Sequence, residues 1–485
     1  MSLKILGRAS SVAIASAATA AVTIATLSLV DRSPSIGIAT LLAAGLLAVA
    51  FSVPTHWLPA AALILYATVP AKVLPDTPIT SVVPLGTVLL VVWRLRVFLT
   101  RSLASTKPVE DDNAPNGAVR AYAGIFAGLF TGWAVIAAIT HSTTIFGLGW
   151  LFSFVAAIFA ALTVRAAPAE AALVLRTWIV LGGAAGAYAL LELVLGASPL
   201  FGSLYNLLGV QSSQHWSVYR AEVSFSHPLF AGAFLSVAAT LGVIRWLETG
   251  KRATLLLGML AAAGVVATLS RGSMIATVIA VTVGTLLVSL ARGRRGLGRY
   301  VLLLALAAGA IFATFQLDAF SERAASTEAL RSAGARDAGW VSAMQAAEYS
   351  GFLGTGPATS GQTASLFGTV IIENSYLQLL ISLGLPGLLL FAFFLVAVFV
   401  RGLQARRFAS ASALIAIGVA LAGFNALDAV RSMHLVLGLV VFVALHAPEE
   451  VVRTPIFRSR RRASPELVSA RATNATTTFR KTRKL

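Results

Sequence analysis

The 485-residue chain contains no cysteine. That absence excludes a disulfide framework and a thiolate metal site, and it leaves the redox compartment unmarked. Charge is scarce too: 12% of residues are Asp, Glu, Lys or Arg, against 57% hydrophobic, and the mean hydropathy is +0.84. So little charge excludes an ordinary soluble globular domain and assigns the membrane class. The six His residues are scattered, with no HxxxH or HExxH spacing, which argues against zinc. No fixed-period repeat is evident.

What the chain has instead is long blocks of Ala, Leu and Val. Leu and Val suit lipid, whereas Ala and Gly suit close helix–helix contact. A crossing needs about 20 apolar residues, which places spans near 10–30, 36–53, 57–73, 80–93, 121–140, 145–164, 173–196, 228–244, 254–269, 273–290, 300–316, 374–400, 410–427 and 432–447. The expected fold is an all-α polytopic membrane bundle of about fourteen helices, or roughly twelve to fourteen. Two hydrophilic loops, 197–227 and 317–372, interrupt its later half. The organisation is then N-terminal spans over 1–196, a second region over 197–447 bearing both loops, and a basic tail over 448–485. Residues 1–20 fit a cleaved signal peptide or a retained first helix. The apolar run reaches Val30, longer than a usual signal core, which favours the helix.

Lys and Arg bias sets orientation. With the N-terminus inside, 29 of the 37 basic residues fall on cytoplasmic segments, ten of them between Arg453 and Lys484. Both termini are therefore expected in the cytoplasm. The net charge of +18 then reads as attraction to an anionic inner leaflet, about 1 kcal/mol per basic residue near that surface. It does not require nucleic acid as a partner. Residues 464–479, rich in Ser, Thr and Ala, are expected to be disordered.

Only Arg32, Lys72, Arg220, Arg271, Arg323, Arg331, Arg336 and Arg431 remain for the outer face. Four stretches there carry polar residues that topology does not demand. In QHWSVYRAEVSFSHPLFAGAF (214–234), Arg220 and Glu222 share a face if extended, and His227-Pro228 opens a helix. In TLSRGSMIAT (268–277), Arg271 occupies a tight turn, with Gly272 permitting the reversal. An Arg held at the bilayer surface offers a planar fork to phosphate oxygens. Residues 321–357 suggest one or two surface helices, with Arg336 and Trp340 adjacent on one face, ended by GFLGTGP. Finally, ENSYLQLLISLGLPG places Glu373 and Asn374 at a helix start, with Gly384 and Pro386 expected to kink a segment too long for one crossing. Capping by Glu373 is one account of that carboxylate. Glu192 and Asp428, near outer span ends, read as structural.

Taken together, YRAEVSFSHPLFAGAF, TLSRGSMIA, the Arg336–Pro357 stretch and ENSYLQLLISLGLPG resemble the O-antigen ligase/polymerase family of bacterial envelope membrane proteins. The likeness covers about 217–400, in the family's order. It implies a membrane-embedded glycosyltransferase without metal or cofactor. Such an enzyme joins a glycan from a polyprenyl diphosphate donor to a glycan or lipid acceptor at the outer face of the cytoplasmic membrane. By that resemblance Arg220 and Arg271 hold the diphosphate and Glu373 acts as the base. His227, Arg336, Trp340, Asn374 and Tyr376 would contact substrate. Guanidinium groups would stabilise the leaving diphosphate, and a carboxylate of raised pKa would take the acceptor's proton, giving inversion. Glu373 stands where ligases acting on lipopolysaccharide usually carry His, which favours a polysaccharide polymerase over a ligase. A lipid-linked oligosaccharide flippase and a non-catalytic scaffold are the readings outside this class.

Overall fold

The computed structural model describes residues 45–46, 48, 50, 52–73, 84–103, 117–141, 145–163, 168–209, 218–292, 298, 327–368, 371–428, 430 and 432–448. The spans expected near 10–30 and 300–316, most of 36–53, and the basic tail lie outside them. Every regular element among the described residues is helical. In chain order they are α1 Leu58–Thr68, α2 Leu85–Leu103, α3 Gly117–Thr140, α4 Ile145–Thr163, α5 Pro168–Leu195 and α6 Pro199–Leu207. There follow α7 Pro228–Thr249, α8 Arg252–Ala267, α9 Arg271–Arg292, α10 Thr327–Tyr349, α11 Ser360–Ser365, α12 Ser375–Gln404, α13 Phe408–Leu421 and α14 Ser432–His446. Among the described residues six helices are long and apolar enough to cross a membrane: α3, α4, α5, α7, α9 and α12.

Small residues let the centre close. A Cβ at Gly242 of α7 would stand 2.6 Å from Gly258 Cα of α8, so the two backbones meet where neither helix carries a side chain. Across the other face of α7, Ser236 Oγ donates to the Ser273 carbonyl of α9 (2.9 Å) and receives Thr277 Oγ1 (2.9 Å). In an apolar bundle such hydroxyls fasten one helix to the next. The directions alternate. Glu248, near the end of α7, accepts from Ala409 N at the start of α13 (2.9 Å). At the opposite end, Gly272 of α9 approaches Gly423 after α13. The start of α7, the end of α8, the start of α9 and the end of α13 therefore share one end of the bundle.

The break expected in α12 is present and goes further than a kink. Gly384 has φ 68° and ψ −174°, a conformation essentially reserved for glycine. Tyr376 and Phe391 lie on either side of it, with ring centroids 6.5 Å apart. A straight helix would separate residues fifteen positions apart by about 22 Å, so the short arm 375–383 folds back towards the long arm 385–404. Pro386 leaves the Ser382 carbonyl without its helical donor, and Gly356 N takes it (2.8 Å). Thr355 N takes the Ile381 carbonyl (3.0 Å), while Leu385 N turns to the Phe352 carbonyl (2.8 Å). Trp133 Nε1 of α3 bonds the Leu383 carbonyl (2.6 Å). The GFLGTGP loop is thus the partner that satisfies the broken backbone, as apolar surroundings require.

Candidate functional site

Arg220 sits on a non-helical segment, 218–227, that turns at Val223 and Ser226 and is clamped against the end of α8. Ala221 N donates to the Ala267 carbonyl and Arg220 Nε to the Thr268 carbonyl, both at 3.1 Å. The side chain is 5% exposed. Behind it, Glu222 N and Val223 N both donate to Glu192 Oε2 of α5 at 3.0 Å. These bonds hold Val223 at φ 52°, strain of about 1–3 kcal/mol for such a residue. Glu222, expected to share a face with Arg220, forms an ion pair with Lys72 (3.4 Å). Burial pushes its carboxyl up, with Lys72 and Arg220 opposing.

His227 caps α7, its Nδ1 accepting from Leu229 N (3.2 Å). Burial first, then the charges of Arg220 and Lys72, lower its pKa to about 4. The ring is therefore neutral near pH 7. It is a positioned acceptor here, not a cation added to the two arginines.

Arg271 is the first residue of α9 and is exposed. The reversal before it belongs to Leu269 (φ 49°), not to Gly272 as the sequence suggested. Gly272 is helical and lies beside Gly423, whose Cα is 3.6 Å from where a Cβ on Gly272 would stand, an ordinary contact that leaves room for one. Because Thr268 holds Arg220 and Arg271 comes three residues later, one turn positions both arginines.

The helix cap expected of Glu373 belongs to its neighbour. Asn374 Oδ1 accepts from Tyr376 N (2.9 Å) and Leu377 N (3.2 Å), because the shorter amide side chain fits the Asx geometry of a cap. Glu373 instead pairs with Arg336 Nε of α10 at 3.2 Å, their side chains 29% and 52% exposed. Trp340, one turn along from Arg336, is 57% exposed, whereas Ala343 and Ala346 pack with Ile372 and Ile381. Trp340 and Arg336 thus lie off the packed face of α10. Tyr376 donates its hydroxyl to the Gly418 carbonyl (2.6 Å), a use the sequence did not signal.

The turn after α13 links these pieces. Ser375 Oγ, two residues after Glu373, donates to the Phe424 carbonyl (2.7 Å) and accepts from Ala426 N (2.9 Å). Gly423, beside Phe424, receives Gly272 next to Arg271. The His227 ring meets Phe230, and Phe230 meets Phe424, at tilted angles with centroids 5.4 and 5.6 Å apart. Arg271, His227 and the Glu373–Arg336 pair are therefore arranged around one short segment, 423–426. Asp428, just beyond that segment, is an anchor: its carboxylate accepts from Ala358 N (2.8 Å), Ser360 N and Ser382 Oγ (both 2.9 Å). Burial raises its pKa, against those donors. It ties the start of α11 and the residues just before it to the broken helix, the structural role its position suggested.

The fold and these elements define an all-α polytopic membrane protein with ionisable groups gathered at one end of its helices. Residues 253–392 match the family model described as O-antigen ligase, and the resemblance drawn from the sequence is shown over that stretch. It contains Arg271, Arg336, Trp340, Glu373, Asn374 and Tyr376, while Arg220 and His227 precede it. Among curated proteins none matches the chain.

Proposed function

We propose that the protein is a membrane glycosyltransferase of the bacterial cytoplasmic membrane, with both termini in the cytoplasm, taking glycan from a polyprenyl diphosphate donor. The observation that carries the reading is that the Arg271 turn and the segment bearing the Glu373–Arg336 pair both contact residues 423–426. Arg220 and Arg271 bind the diphosphate. The acceptor hydroxyl attacks the anomeric carbon, a new glycosidic C–O bond forms, and the sugar–phosphate C–O bond breaks with inversion. The electron pair of that bond leaves on the polyprenyl diphosphate, where guanidinium groups stabilise it. The hydroxyl proton passes to Glu373. Arg336, paired with Glu373 at rest, turns to the donor's phosphate, and a carboxylate released from a guanidinium is the better base. No metal is needed in this scheme, since the charge is carried by arginine.

Glu373 in place of His favours repeated chain growth, hence a polysaccharide polymerase, over transfer of a finished glycan to a lipid or protein. Purified protein in lipid nanodiscs, given lipid-linked oligosaccharide, tests this. Longer carrier-linked chains with release of polyprenyl diphosphate support polymerisation. Transfer solely to a non-carrier acceptor makes it a ligase, and no release of diphosphate refutes the transferase reading. The break in α12 favours a second reading, since discontinuous helices line substrate paths in transporters. A flippase would move the intact donor across the bilayer with no such release.

A further inference from the structure

A cavity of about 460 Å³ lies between α11, the short arm of α12 and the turn before α14. It is of small-molecule size, in the ~300–1,000 Å³ range. Its walls include Ser360, Gln362, Ile372, Gln378, Asn425 and Asp428. Gln378 is 3% exposed, and among the described residues its Oε1 has no hydrogen-bond partner. A buried acceptor of this kind is rare in a settled core and asks for a ligand or a cause. No Lys or Arg is among the cavity's lining residues, so it is no place for a diphosphate. The one carboxylate, Asp428, has both oxygens engaged by Ala358 N, Ser360 N and Ser382 Oγ and serves as wall. What remains is three carboxamides, Gln362, Gln378 and Asn425, with the hydroxyls of Ser360 and Ser365, beside the apolar Ile372. Amides and hydroxyls both donate and accept, which matches neutral, hydroxyl-rich molecules. Ile371 and Ile372, which line the cavity, immediately precede Glu373, so its wall is next in the chain to the proposed base.

We propose that this cavity is a carbohydrate subsite, holding a sugar of the glycan chain by hydrogen bonds to Gln378 and Asn425 while the reacting end lies at Glu373. The assignment rests on the transferase reading for its place in the reaction but is tested without turnover. Full-length protein in nanodiscs is mixed with a panel of free monosaccharides and disaccharides and read by saturation-transfer-difference NMR. At least one sugar gives a signal, which falls by about five-fold in Gln378→Leu, the loss of one net hydrogen bond, and likewise in Asn425→Ala. Gln378→Leu melts at the wild-type temperature or higher, because it removes an unpartnered polar atom. A panel giving no signal in the wild type overturns the subsite, as does a signal unchanged in Gln378→Leu or lost only together with a lowered melting temperature. Arg271→Ala separates the two claims. It keeps the sugar signal and loses turnover. If turnover survives in it while sugar binding still tracks Gln378, the diphosphate assignment fails and the subsite stands. If turnover is lost and sugar binding ignores Gln378, the reverse holds.

Discussion

Gly384 is the residue on which the site's architecture turns, and replacing it with Ala gives the sharpest structural prediction. A Cβ there would press on the Phe352 carbonyl oxygen and the Leu353 carbonyl carbon and stand 2.7 Å from Gly354 N. Those atoms are backbone and cannot swing aside as a side chain does. The φ of 68° with ψ −174° adds strain of about 1–3 kcal/mol for any residue but glycine. Relief requires the GFLGTGP loop to lift, breaking the bonds of Leu385 N, Thr355 N and Gly356 N across the gap. At about 1 kcal/mol net each, the combined cost is roughly 4–6 kcal/mol. The loop joins α10, which carries Arg336, to α11, so lifting it draws Arg336 from Glu373. Gly384→Ala should therefore show faster proteolytic cleavage within 350–368 and lose turnover, with the remaining helices intact by circular dichroism. A variant with wild-type melting, cleavage and turnover would refute the view that the loop and the broken helix are one unit.

Three further outcomes are expected of the site. Arg220→Ala and Arg271→Ala should each lower turnover of lipid-linked oligosaccharide by about 10²–10³-fold, the usual effect of removing one stabiliser of developing negative charge; rates within a few-fold of wild type count against both. His227, lowered to about 4 by burial and its cationic neighbours, binds fewer protons folded than unfolded between that value and its ordinary one. Its contribution is thus present above about pH 6.5 and lost as pH falls towards 4, amounting to about 2 kcal/mol after allowing for the ring's partial exposure. Thermal melts from pH 7 to 4.5 should show a smaller loss in His227→Asn, which keeps an acceptor at the cap; identical pH profiles would contradict this. Chelator should leave turnover unchanged, and strong inhibition would remove arginine from its proposed role.

Much of this was legible in the sequence because membrane spans announce themselves as apolar runs and glycine with proline marks where a helix must fail. The stretch from Glu373 to Val400 was too long for one crossing, and it breaks at the residues that chemistry singled out. The sequence also brought Arg336 and Trp340 to one helix face, and both lie off the packed surface. Pairings across distance were not legible. Nothing local tells that Lys72 reaches Glu222, that Glu192 holds the Arg220 segment, or that Trp133 bonds Leu383. Asn374, not Glu373, caps α12 because capping rewards a short side chain, a choice that two adjacent polar residues leave open. Leu269 makes the turn credited to Gly272, since glycine is read from sequence as a reversal, whereas here a leucine adopts the left-handed backbone and the glycine is helical.

The central claim is that Glu373 accepts the acceptor's proton. Turnover of lipid-linked oligosaccharide by Glu373→Gln, which keeps the side chain's size and removes its basicity, tests it most directly. The account predicts a rate lower by about 10²–10⁴-fold with donor binding retained. Release of polyprenyl diphosphate at the wild-type rate would contradict it.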